Sequence, residues 1–523
     1  MSGNHATSIV VGEFRLILIW PVVLRGVPNR GAPQDPLISQ WSKWFIQNAR
    51  WKDAFQNNPD GQPYDDNDIT PIPDSYRYEE IVYFHPFVRD FLMGDGGTKK
   101  KDLSTRILKR DDVHAVDVVV DPGETPKRFR VERCELHLMK TRVALLAIEL
   151  MAEGRNLWEL QKFQDQFRRI YPPFWKGEQV PGLCVQQVTW LDADDKPLRA
   201  SDVTTQQQKY RDFTQQGAEP PVCDHWQFFF GPLQPLQSRK QLEEGNAYSL
   251  CYQQLTDERI PTMSYFAVPD PSAISEGDAD RITFVDAPDD TGKPNSYPYN
   301  FMFLEKRRAG HTYDRFSHYG TTYYCSGYGF SMIGKDDPFF RNILKTHFQR
   351  HYFLMNLLAH YQRAALLDFS DELSNAIKDL AGEGPHEELN NAKFRKHVEE
   401  LQMRFLKFRT RAYFPEVSNQ LQAQELWLLI FNHLNTKVLF EVVDSTSERL
   451  TGVLAENETR QLTRVATKVV PISLALAVAS AMLGIIQAIG VKELAMWWSL
   501  IGTAVASVGT YNLFFRSAGN KMK

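Results

Sequence analysis

The order of apolar and polar residues divides the chain into three stretches. Over residues 1–335, short apolar runs alternate with Pro-, Gly- and Asp-rich turns, the punctuation of strands and short helices. Runs 14–20 and 81–84 predict buried strands, 129–139 a partly alternating strand, and 143–150 a second apolar one. Further strands are predicted at 184–191, 262–268, 282–285 and 321–332, with 286–298 a polar loop. Segment 157–171 reads as a helix, because Leu157, Leu160, Phe163, Phe167 and Ile170 share one stripe. No internal repeat is visible, and the stretch reads as an α/β body.

From Pro338 the pattern changes to helical spacing. Residues 339–378 predict one long helix, ending near Gly382 and Gly384-Pro385, and 387–413 predict another, stopped by Pro415. Residues 416–490 hold few helix breakers, so they predict a rod of about 110 Å at about 1.5 Å per residue. Trp427, Phe431, Leu434, Val438 and Val442 would form one packed face of that rod. Residues 336–468 are therefore expected to be a long-helix stalk.

The third stretch is uncharged. Residues 469–491 and 494–515 form runs of 23 and 22 residues without a charge, separated by Lys492 and Glu493. Each reaches the ~20 residues a helix needs to cross a bilayer core, so a two-helix membrane hairpin is expected. Arg460, Arg464 and Lys468 precede the hairpin and Arg516, Lys521 and Lys523 follow it, against Lys492 alone in the loop. That asymmetry predicts both termini in the cytoplasm, a multi-pass protein of the inner membrane, and 516–523 as a basic cytosolic tail. The apolar run 14–24 follows no basic segment and is interrupted by Arg15 and Pro21, so it is not read as a leader.

Along the first span, Ser473, Ala477, Ser480, Gly484 and Gln487 share one face of an otherwise greasy helix. Such a stripe can line a pore or a close helix–helix contact. Two spans cannot enclose an aqueous path, so conduction requires an oligomer, with lipid around it. Projected backwards at helical pitch, Glu441, Asp444 and Glu448 fall on the pore-facing side, where carboxylate rings would concentrate cations.

Composition narrows the function classes. With 60 Lys+Arg against 64 Asp+Glu the net charge is -4, which argues against binding a nucleic-acid polymer. Five scattered cysteines without a C-x-x-C exclude a disulfide scaffold and a cysteine zinc site. His347 and His351 stand four apart, but Phe348 replaces the glutamate a zincin motif needs. Residues 94–101 lack the spacing of a phosphate loop, and Gly327-Tyr328-Gly329 lacks the third glycine of a dinucleotide fingerprint. Basic and aromatic groups interleave in Arg307, Arg308, His311, Tyr313 and Arg315, a composition suited to an anionic nucleotide. No nucleophile–base pair can be argued from spacing, and no enzyme is expected.

The stretch Leu462-Thr463-Arg464-Val465-Ala466-Thr467-Lys468-Val469-Val470-Pro471 resembles the entry to the first span of CorA-type divalent-cation transporters. The resemblance covers about the last 190 residues, and the N-terminal body follows it only in architecture. It implies a homopentamer whose first span lines a pore, with a divalent cation such as Mg²⁺ as transported or regulatory ion. The family's Gly-Met-Asn signature is absent: Ser480-Ala481-Met482 stands at that distance from Pro471. Large cytosolic sensors on such hairpins also resemble effectors of bacterial antiviral systems, in which a nucleotide signal opens the channel. The expectation is thus an α+β protein: a cytosolic α/β domain, a helical stalk and a membrane hairpin.

Overall fold

The computed structural model describes residues 9–29, 36–54, 83–93, 104–176, 180–210, 221–236, 250–288, 297, 299–382 and 391–452. Its fold is mixed α+β, built on a 14-stranded sheet among the described residues. The predicted spans, the pore residues Ser473, Ala477, Ser480, Gly484 and Gln487, the tail 516–523 and the segment 94–101 lie outside the described residues.

The longest strand, β1 (Val10–Arg25), is apolar along most of its length and lies in the middle of the sheet. A continuous apolar run is what a strand covered on both faces requires. It pairs antiparallel with β2 (Val143–Asn156) on one side and with β3 (Thr262–Val268) on the other. On one face, Phe14, Leu16, Leu18, Trp20, Val22 and Leu24 enter the main core. There Trp20 packs edge-on against Trp226, Phe230 and Tyr252. The opposite face carries charges that are buried in pairs: Arg15 bonds Glu149 at 2.7 Å and Glu13 at 2.6 Å. Arg25 reaches Asp368 at 2.7 Å on α1 (Phe353–Gly382), the long helix that packs over β1 and β2.

Several expected elements are present with shifted bounds. The strand expected at 129–139 runs Lys127–Met139, and the helix expected at 157–171 is Leu157–Phe167, N-capped by the Asn156 side chain. The strand 184–191 shortens to Gln187–Leu191, and 321–332 is two antiparallel strands, Thr322–Cys325 and Gly329–Lys335. Two strand assignments fail. Residues 282–285 end a helix, Glu276–Phe284, which Ser275 opens by accepting from the Asp278 N–H. Tyr83 and Phe84 of 81–84 form a helical turn and a bend.

Residues Met1–Asp444, which include the helices from Pro338 up to that point, form one compact unit and Ser445–Lys523 a second. The expected continuous rod is also broken. The helix Leu421–His433 stops and the next, Thr436–Gly452, starts at an angle of 61° to it. Asn435 sits at the break with φ of 52°, a left-handed conformation that asparagine tolerates and that ends a helix. The predicted packed face ends there as well: Trp427, Phe431 and Leu434 are buried, whereas Val438 and Val442 are exposed. Among the described residues no single helix is long and apolar enough to cross a membrane; the bent pair is, by length and composition.

Candidate functional site

The residues singled out in the sequence are placed as follows. Arg307 and Arg308 lie on the helix Phe301–His311, with Tyr313 just beyond its end. Arg308 is engaged by Asp280 at 2.8 Å and Glu276 at 2.9 Å. Arg315 bonds Glu425 at 2.9 Å, and the Tyr313 hydroxyl donates to the same carboxylate at 2.5 Å. His311 is buried, bonded to the Cys325 carbonyl at 2.6 Å and stacked on His433. Burial lowers its pKa. The segment therefore ties the body together, and Arg307, stacked over the Phe303 ring, is the arginine here without a carboxylate partner among the described residues.

Glu441 and Glu448 are exposed, while Asp444 is engaged by Arg409 at 2.7 Å. His351 stacks on Tyr83 at 4.1 Å, and burial lowers its pKa to about 3, so it is neutral. Among the described residues no group of three or more His, Cys, Asp or Glu is placed to hold a metal ion. The five cysteines are free and buried.

A polar cavity of about 530 Å³ lies elsewhere. Its walls come from four separated segments: Val120–Pro122 at a strand end, Lys162, Asp165, Gln166 and Arg169 at the helix Leu157–Phe167, Lys176 and Pro181 on a small hairpin, and Arg281, Asp286, Tyr297 and Tyr299. Leu160 and Phe163 anchor the helix in the core, where Phe163 stacks on Phe129 at 3.8 Å. That burial turns the opposite face of the helix, with Lys162, Asp165 and Gln166, towards the cavity.

Asp165 is the hub. Its carboxylate accepts from Arg169 at 2.8 Å, Arg168 at 3.4 Å and the Ala287 N–H at 3.3 Å. Arg169 also bonds Glu258 at 2.5 Å, and Lys162 pairs with Asp121. Arg168, fully buried, spends one donor on the Val285 carbonyl at 2.9 Å, while its Nε and Nη1 have no partner. Burial lowers the Arg168 pKa to about 10.

Asp286 behaves differently. Burial first, and then the neighbouring Asp165 charge, push its carboxyl up to about 6, against the smaller opposing pull of Tyr299, Arg168 and Arg169. Its Oδ2 has no hydrogen-bond partner. The cavity thus offers a carboxyl that changes charge near pH 6, two tyrosines (Tyr297 and Tyr299), and the cations Lys162, Lys176, Arg169 and Arg281. Such a lining is chemically suited to a polar, charged, aromatic-bearing small molecule.

The sequence reading missed this site because its residues are more than a hundred positions apart. One signal was available: Asp165-x-x-Arg168-Arg169 puts two arginines within reach of one carboxylate at the end of an apolar-striped helix. Comparison of the chain with protein-family models, curated proteins and solved structures finds no match.

Proposed function

We propose that the protein is an oligomeric ion channel or transporter of CorA-like type, anchored by a two-span hairpin and gated through its large folded body. The observation that carries this reading is the pair of uncharged runs, 469–491 and 494–515, with the basic residues on their outer flanks. The hairpin would lie in the inner membrane with both termini in the cytoplasm. Ser473, Ala477, Ser480, Gly484 and Gln487 would line the path in a homo-oligomer, a pentamer by resemblance. Glu441, Asp444 and Glu448 would draw a divalent cation such as Mg²⁺ towards it, with Asp444 weakened in that role by Arg409.

The test is cation flux into proteoliposomes holding the full-length chain. Flux is expected to fall when Gln487→Leu or Ser480→Leu removes a polar group from the stripe. Flux that neither substitution alters, or a chain that stays soluble without detergent, refutes the reading. The 530 Å³ cavity favours a second reading, a nucleotide-responsive membrane effector or sensor that uses the hairpin as an anchor or to disrupt the bilayer. Conductance that appears only after a nucleotide is added identifies a gated channel. Nucleotide binding without any conductance identifies the sensor.

A further inference from the structure

A second, smaller cavity of about 190 Å³ is lined in part by Arg259 and by Leu434, next to the break between Leu421–His433 and Thr436–Gly452. Thr256, Asp257, Arg259, Tyr328, His360, Arg363 and Leu434 contribute to its wall. Its size is below the roughly 300 Å³ at which pockets for drug-sized ligands begin, yet it exceeds several water volumes of about 30 Å³. A small ion fits, and a nucleoside does not.

The partners of the lining groups define the charge left over. Asp257 is saturated: it accepts from Arg259 through Nε at 3.0 Å and through Nη2, and from the Tyr328 hydroxyl at 3.2 Å. Arg259 is held in place from above by stacking on the Tyr328 ring at 3.8 Å. Arg363 has no carboxylate partner among the described residues, and its one hydrogen bond runs from Nη1 to the Leu434 carbonyl at 3.0 Å. His360 is 8% exposed and its ring makes no hydrogen bond among the described residues. The Thr256 hydroxyl is buried without a partner among the described residues. Guanidinium, imidazole and hydroxyl groups converging on a small cavity, with one guanidinium bonded to no carboxylate among the described residues, suit a tetrahedral oxyanion.

The bond that Arg363 does make gives this site a consequence. Leu434 is the last residue before the break, and Arg363 supplies its carbonyl with the donor that a continuing helix would have drawn from the Val438 N–H. An oxyanion in the cavity competes for that guanidinium, because it offers a full negative charge where the Leu434 carbonyl offers only a dipole. Once released, the Leu434 carbonyl is satisfied when Asn435 leaves its left-handed conformation and the two helices join.

We propose that this cavity is an oxyanion site, for inorganic phosphate or a phosphoryl group, whose occupation draws Arg363 off Leu434 and straightens the helix pair. The inference rests on the folded body alone and stands independently of conduction. It is tested on the full-length chain in detergent by equilibrium dialysis with radiolabelled inorganic phosphate. One saturable site per chain is expected, weakened at least tenfold by Arg363→Gln and also by Thr256→Val, which replaces an unpartnered hydroxyl with a shape-matched methyl. No saturable binding, or binding that neither variant weakens, overturns the site.

Displacement of phosphate by glycerol phosphate assigns a phosphoryl ligand, and failure to displace assigns the free ion; both support the shared chemistry. For the bend, spin labels at Leu428→Cys and Val442→Cys, two exposed positions on either side of it, report one distance. Phosphate is expected to move that distance towards about 21 Å, the span of fourteen residues at about 1.5 Å each. Bound phosphate with an unchanged distance overturns the coupling to the bend.

Discussion

Asp286 offers the sharpest test of the cavity electrostatics. Its carboxyl is pushed up to about 6 by burial and by Asp165, from an unfolded value of 3.8. Each pKa unit corresponds to about 1.4 kcal/mol, so ionising Asp286 in the folded protein costs about 3 kcal/mol above pH 7. The sign follows from proton counting. Between about pH 4 and pH 6 the folded state holds a proton that the unfolded state has lost, so this group lowers stability as pH rises through that window. Asp286→Asn keeps the shape and hydrogen-bonding reach of the side chain and removes the ionisation. At pH 4 the variant and the parent are expected to melt within about 1 °C of each other. At pH 8 the variant gains about 3 kcal/mol, an increase of about 3 °C in Tm for a folded unit of this size. The assay is tryptophan-detected thermal unfolding across pH 4–8. A difference that is the same at every pH, or a parent that is the more stable at pH 8, refutes the account of the site.

Further outcomes follow from packing and charge. Phe163→Ala removes a ring stacked on Phe129 at 3.8 Å and on Phe167 at 5.0 Å, and is expected to cost about 3–5 kcal/mol in unfolding measurements. Arg25→Met strips the nearest cation from buried Asp368, 2.7 Å away, leaving the more distant Arg404 at 3.7 Å and the weaker pull of Arg142. A loss of about 3 kcal/mol is expected in denaturant titrations at neutral pH, shrinking in acid, because burial already raises the Asp368 carboxyl to about 6. Gly334→Ala would place its Cβ 1.9 Å from the Phe340 ring. That ring is pinned by stacking on Tyr265 at 4.5 Å, so a loss of about 1–3 kcal/mol is expected in the same titrations.

The sheet was legible in the chain wherever burial on both faces made the apolar run continuous. The strand expected at 262–268 matches Thr262–Val268, and the run 14–20 lies inside Val10–Arg25. Length hid the error at 282–285: four residues of helix end carry no period, and the upstream Ser275-x-x-Asp278 cap was the readable sign. The rod failed at a single residue. Asn435 lies in a sequence with no glycine or proline nearby, and only its left-handed backbone, with Arg363 bonded to the preceding Leu434 carbonyl, reveals the stop. The 530 Å³ cavity was illegible for another reason, since its walls come from positions 120 to 299 and only the tertiary fold assembles them.

The central strand β1 carries a cost at birth. It is synthesised well before the neighbour on one edge, Thr262–Val268, which follows more than 230 residues later. At about 5–20 residues per second that is a wait of roughly 12–50 s, during which a sixteen-residue apolar strand has an open edge. Such an edge is a template for wrong pairing, so nascent copies need shelter by a chaperone until the second half of the sheet arrives. Slowing translation before residue 262 is therefore expected to increase aggregated protein, whereas slowing it after residue 335, when the last strand of this sheet has been made, leaves the yield unchanged.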